Sequence, residues 1–163
     1  MEQLKQSFDL SGHELPAALT KLIINLWPPF RGAGIRVTHL SADWRQAEVQ
    51  LKLGLTNRNY VGVHFGGSLY AMTDPFFMLL LMQQLGPDYY VWDKAGHIDY
   101  VKPGRGTVKA RFHVDEDLVS HIRQQTASGE KYLPQLQVEV HDQHGDVVAR
   151  VHKTLYIKRK KDR

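Results

Sequence analysis

Apolar residues recur with two different periods along the chain, and the change of period divides it into elements. Residues 11 to 27 carry apolar side chains at spacings of three and four, which predicts an amphipathic N-terminal helix that Pro28 and Pro29 end. The side chains expected on its buried face are Leu15, Leu19, Leu22, Ile23 and Leu26. A period of two then predicts strands, each with one buried face, over residues 35 to 41, 47 to 53, 91 to 101, 107 to 114, 133 to 142 and 147 to 158.

One long apolar segment, residues 68 to 85, interrupts the strands. It is apolar on nearly all sides, which is typical of a helix buried in the middle of a domain. Within it, Asp74 and Pro75 leave two alternatives open, a kink or a helix that starts at Pro75 with Asp74 as its N-cap. Residues 115 to 129 are polar and predict a loop with a helical turn or two.

The connections between the later strands are short, and residues 143 to 146 have the composition of a hairpin turn. Short connections predict an antiparallel sheet, which the single buried helix must pack against. We therefore expect an α+β hotdog fold: a curved antiparallel sheet of about six strands wrapped around a central helix, with an extra N-terminal helix.

Composition narrows the class of protein. A chain of 163 residues with 42% hydrophobic side chains suffices for one domain, residues 1 to 163. The absence of cysteine excludes disulfides, thiolate metal sites and a cysteine nucleophile, and it fits a cytoplasmic protein. No signal peptide is recognisable, and the most apolar window is too short to span a membrane.

The net charge of +4 is concentrated at one end of the chain. The last six residues hold five basic groups and one acidic group, so residues 158 to 163 are predicted to form a basic tail on a neutral body. A nucleic-acid partner is not expected, because Tyr89, Tyr90 and Trp92 are not interleaved with basic residues in the sequence. These aromatics suggest core or a subunit interface.

Several other chemistries lack their motifs. His141, His144 and His152 have no further ligands at metal spacing, so no metal site is predicted. Neither a nucleophile elbow around a serine nor a phosphate-binding P-loop occurs.

The segment from Asn59 to Asp74, NYVGVHFGGSLYAMTD, resembles a family signature. The signature is N-x-x-G-x-x-H-G-G followed by six residues and Asp, and it belongs to hotdog acyl-CoA thioesterases of the phenylacetate-pathway type. The run WDKAGHIDYVKPG, residues 92 to 104, resembles the third strand and following turn of that family. Where the family has histidine before Gly-Gly this chain has Phe65, and His64 lies one position earlier, as in a branch of uncharacterised thioesterase-like proteins. The resemblance covers roughly residues 34 to 158.

The resemblance implies hydrolysis of an acyl-CoA thioester without a metal or redox cofactor. Asp74 is expected as general base or nucleophile, and the Gly67 N–H group as oxyanion donor. Physical reasoning agrees, since paired glycines at a helix N-terminus let backbone N–H groups approach an oxyanion closely. Asp74 follows Gly67 by about two helical turns and would lie on the same side of the helix.

Three further residues are candidates for placing water or polarising the thioester. They are Asn59, His64 and Asp93. Each has a structural alternative: Asn59 can form a turn, His64 can be an ordinary loop histidine, and Asp93 can pair with a surface charge such as Lys94.

The substrate contacts implied by the resemblance surround the same motif. Lys102 and Arg105 flank the turn that resembles the coenzyme A contact loop, although turn lysines also serve solubility alone. Apolar and aromatic contacts to the acyl group are expected from Phe65, Gly66, Tyr70, Phe76, Phe77 and Tyr100. The family also implies a homodimer or homotetramer with the active site at the subunit interface.

Two other functions remain open at this stage. A hotdog dehydratase acting on 3-hydroxyacyl thioesters would pair a loop histidine with a helix carboxylate, here His64 with Asp74. A catalytically silent acyl-CoA binding module is the second alternative, because the histidine is displaced from its usual position.

Overall fold

The computed structural model describes residues 15 to 160, and its strands follow the predicted order. Residues 116 to 125, predicted as a loop with a helical turn or two, instead form a helix of 10 residues, which the Asp115 side chain caps by accepting from the Leu118 N–H group. The helices are α1 (Ala17–Leu26), α2 (Pro28–Ala33), α3 (Gly66–Ala71), α4 (Phe76–Leu85) and α5 (Glu116–Gln125). The strands are β1 (Ile35–Leu40), β2 (Gln46–Lys52), β3 (Tyr89–Tyr100), β4 (Thr107–His113), β5 (Gln135–His141) and β6 (Val147–Arg159). Parts of two predicted segments, residues 11 to 14 of the helix and 161 to 163 of the tail, lie outside the described residues.

The six strands form one antiparallel sheet in the order β1-β2-β4-β5-β6-β3. Helix α4 packs on its inner face, where the Phe112 ring of β4 lies 5.0 Å from the Phe76 ring and 5.1 Å from the Phe77 ring, centroid to centroid. Burial of these large apolar side chains is the main stabilising contribution to such a core. The arrangement confirms the expected hotdog architecture. Within residues 15 to 160, no helix is both long enough and apolar enough to cross a membrane.

The central helix is divided, which corrects the prediction of one helix over residues 68 to 85. Helix α3 ends at Ala71, and α4 begins at Phe76 with Pro75 as its N-cap residue. Between them the Asp74 N–H group donates to the Ala71 carbonyl at 3.2 Å, and the Asp74–Pro75 peptide bond is cis. Proline has no N–H group to continue the helix, so the chain turns at Asp74.

Helix α1 turns a different face to the sheet than its leucines predict. Its buried residues are Ala17, Thr20 and Ile24, whereas Leu22 and Leu26 are more than half exposed. The physical reason is a side-chain contact that sets the rotation of the helix. The Asn25 side chain forms two hydrogen bonds with the backbone of β1, and these bring its neighbour Ile24 against the sheet.

The two edge strands of the sheet differ. At β1, Asn25 Oδ1 accepts from the Val37 N–H group at 2.8 Å, and Asn25 Nδ2 donates to the Val37 carbonyl at 3.0 Å, so the edge is covered by α1. At the other edge, β3 is 12 residues long and pairs only with β6 among the described strands. Residues 92 to 97 of β3 are all exposed. A long open edge of this kind is a surface on which a further strand can pair.

Candidate active site

Asp74 lies at the turn between α3 and α4 and is paired with a buried lysine. Lys153 Nζ donates to Asp74 Oδ1 at 2.6 Å, and the Lys153 side chain is only 3% exposed. The Asp74 side chain is 46% exposed, so it is not enclosed by the apolar residues that precede and follow it in the sequence. The carboxylate therefore reaches both solvent and a fixed positive charge.

Asp93 on β3 completes this cluster. Its Oδ1 lies 3.3 Å from Lys153 Nζ. Burial raises the pKa of Asp93, the charge of Lys153 lowers it, and the charge of Asp74 raises it again, with a net upward shift. The upward shift follows from the burial of Asp93 and from the second carboxyl group beside it.

Lys153 keeps its charge in this setting. Burial disfavours the ammonium form, but the hydrogen bond with Asp74 and the negative charges of Asp74 and Asp93 outweigh burial and raise the pKa of Lys153. The cluster thus holds one cation between two carboxyl groups.

Tyr70 and Gly96 bring α3 and β3 together beside the cluster. Lys153 Nζ lies 5.2 Å from the centre of the Tyr70 ring, within the range of a cation–π contact. Gly96 is opposite Lys153 in the β3–β6 pairing, and a Cβ atom at Gly96 would overlap the Tyr70 hydroxyl. Glycine at this strand position therefore lets Tyr70 lie directly on the sheet.

The other end of α3 meets β3 at Tyr100. A Cβ atom at Gly66 would lie 2.8 Å from the Tyr100 hydroxyl, and one at Gly67 would lie 2.5 Å from the Phe65 ring. Phe65 and Tyr100 are each 57% exposed. Among the described residues, no acceptor is bonded to the N–H group of Gly66 or Gly67. This end of α3 therefore has free donors beside exposed aromatic rings.

Asn59 and His64 organise the loop before α3 and do not join the Asp74 cluster. Asn59 Oδ1 accepts from the N–H groups of Val61 and Val63, each at 3.1 Å, as in turn formation. His64 is 2% exposed, and its Nε2 donates to the Gly106 carbonyl at 3.1 Å. Burial lowers the pKa of His64 more than the Gly106 bond raises it, so the ring is neutral. Its Nδ1 is buried without a partner among the described residues.

The remaining candidates are dispersed. Lys102 Nζ binds two carboxylates of the β5–β6 hairpin, Asp142 at 2.7 Å and Asp146 at 2.6 Å, so its charge is already balanced. Arg105 is exposed on the neighbouring turn. Phe77 lies in the core against Phe112, away from the cluster. Within the described part of the chain, no group of three or more histidine and acidic side chains is arranged to hold a metal ion.

Lys153 is the residue that sequence reasoning missed. It belongs to the alternating set of β6 residues that face the core, together with Val151, Leu155 and Ile157. A lysine at a core position needs a compensating charge, because burial of an unpaired cation is costly. That pattern was visible in the sequence, but its partners come from elements far away along the chain.

The geometry separates two half-sites on β3. One is the acid cluster of Asp74, Asp93 and Lys153, and the other is the N-terminal end of α3 beside Tyr100. Helix α3 separates Gly67, at its N-terminal end, from the turn at Asp74. Four residues of strand, from Gly96 to Tyr100, span about 13 Å. One reacting carbonyl group cannot contact both half-sites of a single chain.

Comparisons with known proteins agree with this fold. Residues 16–157 match a family model described as a domain of unknown function, DUF4442. A protein of unknown function from Pseudomonas aeruginosa, described as a probable thioesterase, superposes with a TM-score of 0.79 at 17% identity, covering 89% of this chain and 97% of that chain. A thioesterase from Haemophilus influenzae superposes with a TM-score of 0.65 at 12% identity, covering 92% and 95%.

A mutant of the phenylacetic acid degradation protein PaaI from Thermus thermophilus has a TM-score of 0.57 at 24% identity, covering 80% of this chain and 98% of that chain. None of the curated proteins matches the sequence. The match to the family model extends over most of the chain. The chain therefore belongs to the DUF4442 family, and its fold is the hotdog fold of these thioesterases.

Proposed function

We propose that the protein is an acyl-CoA thioesterase, which hydrolyses a thioester to a free acid and coenzyme A. The observation that carries the proposal is the cluster in which buried Lys153 holds Asp74 and Asp93 together on an open edge strand. Two nearby carboxyl groups with different environments are suited to moving a proton during hydrolysis.

The reaction follows from the roles of these groups. Asp74 takes a proton from a water molecule, the water oxygen attacks the thioester carbonyl carbon, and the C–S bond breaks. Coenzyme A leaves as a thiolate and receives a proton, which Asp93 can relay because its carboxyl group holds a proton more tightly than usual. In the alternative route Asp74 attacks the carbonyl carbon itself, and water then hydrolyses the anhydride.

Lys153 supports either route as a positioning residue. By binding Oδ1 of Asp74 it fixes the orientation of the carboxylate. The negative charge that develops on the thioester oxygen would be stabilised by the Gly67 N–H group.

The complete site requires a second copy of the chain, because the two half-sites are too far apart within one. If β3 pairs antiparallel with the β3 of a partner about His97, with Lys94 bulged as it is in the pairing with β6, Asp93 lies opposite the partner's Tyr100. The N-terminal end of the partner's α3 then lies beside the acid cluster. A homodimer formed through β3 thus supplies one acid cluster and one set of N–H donors to each of two sites, and pairs of such dimers give a tetramer.

The substrate contacts in this proposal are the exposed aromatic residues of the two half-sites, Phe65, Tyr70 and Tyr100. Arg105 remains a candidate for a coenzyme A phosphate, whereas Lys102 is engaged by Asp142 and Asp146. Hydrolysis by these residues involves no metal or redox step. A chain without cysteine is compatible with a reducing cytoplasm, where we place the reaction.

The dehydratase alternative has no support from the site. That chemistry needs a loop histidine beside the helix carboxylate, and the His64 ring is instead buried and bonded to Gly106. The silent acyl-CoA binding module is left as an outcome of the test.

The test measures release of free thiol from short-chain, long-chain and aromatic acyl-CoAs. Asp74→Asn keeps the size of the side chain but cannot accept a proton or attack a carbonyl, and we expect it to lower kcat/KM at least about 100-fold. The matched control is Asp88→Asn, an exposed aspartate at the turn before β3, which should leave the rate unchanged.

Two results contradict the proposal. Equal rates for Asp74→Asn and the wild type would exclude the assigned role of Asp74. Tight binding of acyl-CoA without thiol release from any member of the panel would identify a binding module instead.

A further inference from the structure

The outer face of β3 and β6 carries a row of aromatic side chains, which we term the aromatic platform (Tyr90, Trp92 and Tyr156). The β3–β6 register places Trp92 opposite Tyr156, with ring centroids 6.0 Å apart and planes inclined by 21°. The Tyr90 ring lies 5.5 Å from the Trp92 ring. Trp92 is 58% exposed and Tyr90 is 43% exposed. Adjacent ring faces are therefore open to solvent on the side of the sheet opposite the acid cluster.

Lysines surround the aromatic platform, although the sequence separates them from it. Lys158 is opposite Tyr90 in the strand register, and Lys160 Nζ lies 5.1 Å from the centre of the Tyr90 ring. Lys94, two residues after Trp92, is the unpaired residue of a bulge in β3. The sequence does not interleave these aromatics with basic residues, but the pairing of β3 with β6 places Lys158 beside Tyr90.

These lysines differ from several other cations of the same sheet, which are paired with carboxylates. Arg111 binds Glu48 at 2.8 Å, and Arg150 binds Glu139 at 2.8 Å. In contrast, Lys94, Lys158 and Lys160 form no ion pair with any residue between positions 15 and 160. The platform thus combines exposed ring faces with a positive charge that those residues leave uncompensated.

The charge favours an anionic occupant over a second copy of the chain. A two-fold contact through this face would bring the same lysines of both copies together, and like charges oppose such a contact. A suitable occupant would carry flat rings that stack on the aromatic side chains and negative charges that pair with the lysines. Single-stranded nucleic acid has this chemistry, because its bases stack on aromatic side chains and its phosphates bind cations.

We infer that the aromatic platform binds single-stranded nucleic acid. Bases stack on the exposed faces of Trp92 and Tyr90, and phosphates lie along Lys158, Lys160 and Lys94. This binding is independent of thioester hydrolysis, since Asp93 and Lys153 face the opposite side of the sheet.

The test titrates the full chain into a fluorescein-labelled single-stranded oligothymidine and follows fluorescence anisotropy between about 50 mM and about 200 mM salt. Three phosphate contacts predict a slope of about −2 for log K against log salt. Trp92→Ala should weaken binding about tenfold, the usual effect of losing one stacked base. The double variant Lys158→Ala with Lys160→Ala should make the slope shallower by about 1.4.

Matched controls remove the same groups elsewhere. Tyr60→Ala deletes a fully exposed aromatic ring in the loop before α3, and Lys21→Ala with Lys52→Ala deletes two lysines far from the platform. Both controls should bind as the wild type does, and circular dichroism verifies that every variant is folded.

Four results would overturn the inference. The first is the absence of binding at the lowest salt concentration, and the second is equal weakening in the platform and control variants. The third is competition by free coenzyme A or a mononucleotide at the affinity of the oligonucleotide, which would indicate a small-molecule site. The fourth is binding to phosphatidylserine vesicles with the same dependence on Trp92 and the lysines, which would indicate a lipid surface.

Discussion

The two edge strands of the sheet, β1 and β3, differ in what covers them, although both pack on the same core. At β1, the amide of Asn25 occupies the N–H and carbonyl groups of Val37 and so replaces a neighbouring strand. At β3, 12 residues stay open, and this strand carries one member of the acid cluster, Asp93, together with Gly96 and Tyr100. Proteins protect an edge that must stay unpaired, so the contrast supports the proposal that β3 is the edge used for assembly.

The largest effect is expected from closing the open edge to a partner strand. Ala95→Lys with His97→Lys places two lysines on one face at the centre of the proposed pairing, where the lysine at position 97 lies opposite its copy in the partner. We expect a monomer where the wild type sediments as a dimer, and a loss of thiol release of at least about 100-fold because the half-sites no longer meet.

The control for that experiment lies on the covered edge. His39→Lys introduces a lysine at an exposed position of β1, and it should change neither the sedimentation of the protein nor its rate of thiol release. A double variant that remains dimeric and fully active would show that β3 is not the edge used for assembly.

Uncovering β1 should reduce stability and leave assembly intact. Asn25→Ala removes both hydrogen bonds to Val37, and we expect the free energy of unfolding in urea to fall by about 2 kcal/mol. Hydrogen exchange of the Val37 amide should accelerate, while Lys21→Ala on the same helix serves as control. Unchanged exchange at Val37 would mean that Asn25 does not protect this edge.

A smaller effect is expected at Glu48, which ties β1 and β4 to β2. Burial alone would raise its pKa, but hydrogen bonds from Arg111, Thr38 and Gln50 lower the pKa of Glu48 to about 2. Its stabilising contribution is therefore complete above the ordinary value of 4.5 and is lost as the pH falls through 2. Glu48→Gln should lower the free energy of unfolding by about 1 kcal/mol at neutral pH, and the difference should vanish in strong acid.

The smallest effect concerns Asp93 on the open edge, where the sign is reversed. Because the pKa of Asp93 is raised, its contribution to stability is complete below the ordinary value of 3.8 and is lost as the pH rises through the folded value. Asparagine does not titrate, so the Asp93→Asn variant does not lose stability through this group. As the pH rises from 4 towards neutrality, the urea midpoint of the variant should therefore fall less than that of the wild type. Parallel pH profiles for the wild type and Asp93→Asn would contradict the raised pKa, with Asp88→Asn as control.

Hydrophobic periodicity predicted the strands, because each strand contacts the core with one face. It also predicted that α4 is buried, because this helix is apolar on nearly all sides. It was insufficient for α1, where Leu22 and Leu26 follow the helical period but face outward. The helical period shows that these leucines share one face of the helix, but it does not show whether that face packs against the sheet. That choice depends on Asn25 and Val37, which the sequence does not relate.

The candidate site was also predicted in part. Asp74, Asp93 and the Gly66–Gly67 pair were found from a motif whose residues are close together in the chain. Lys153 was not found, because its ion pair with Asp74 joins positions 79 residues apart.

The sequence by itself determined the class of fold and the order of the strands along the chain, since local periodicity acts over a few residues. It left open whether the central helix kinks at Asp74 or starts again at Pro75. Only the tertiary structure decided which charges meet. Strand pairing brought Lys158 to Tyr90 and Gly96 to Lys153, and the α3–α4 turn brought Asp74 to the same lysine. Such contacts depend on register between distant strands, where a shift of one residue would turn every side chain to the other face.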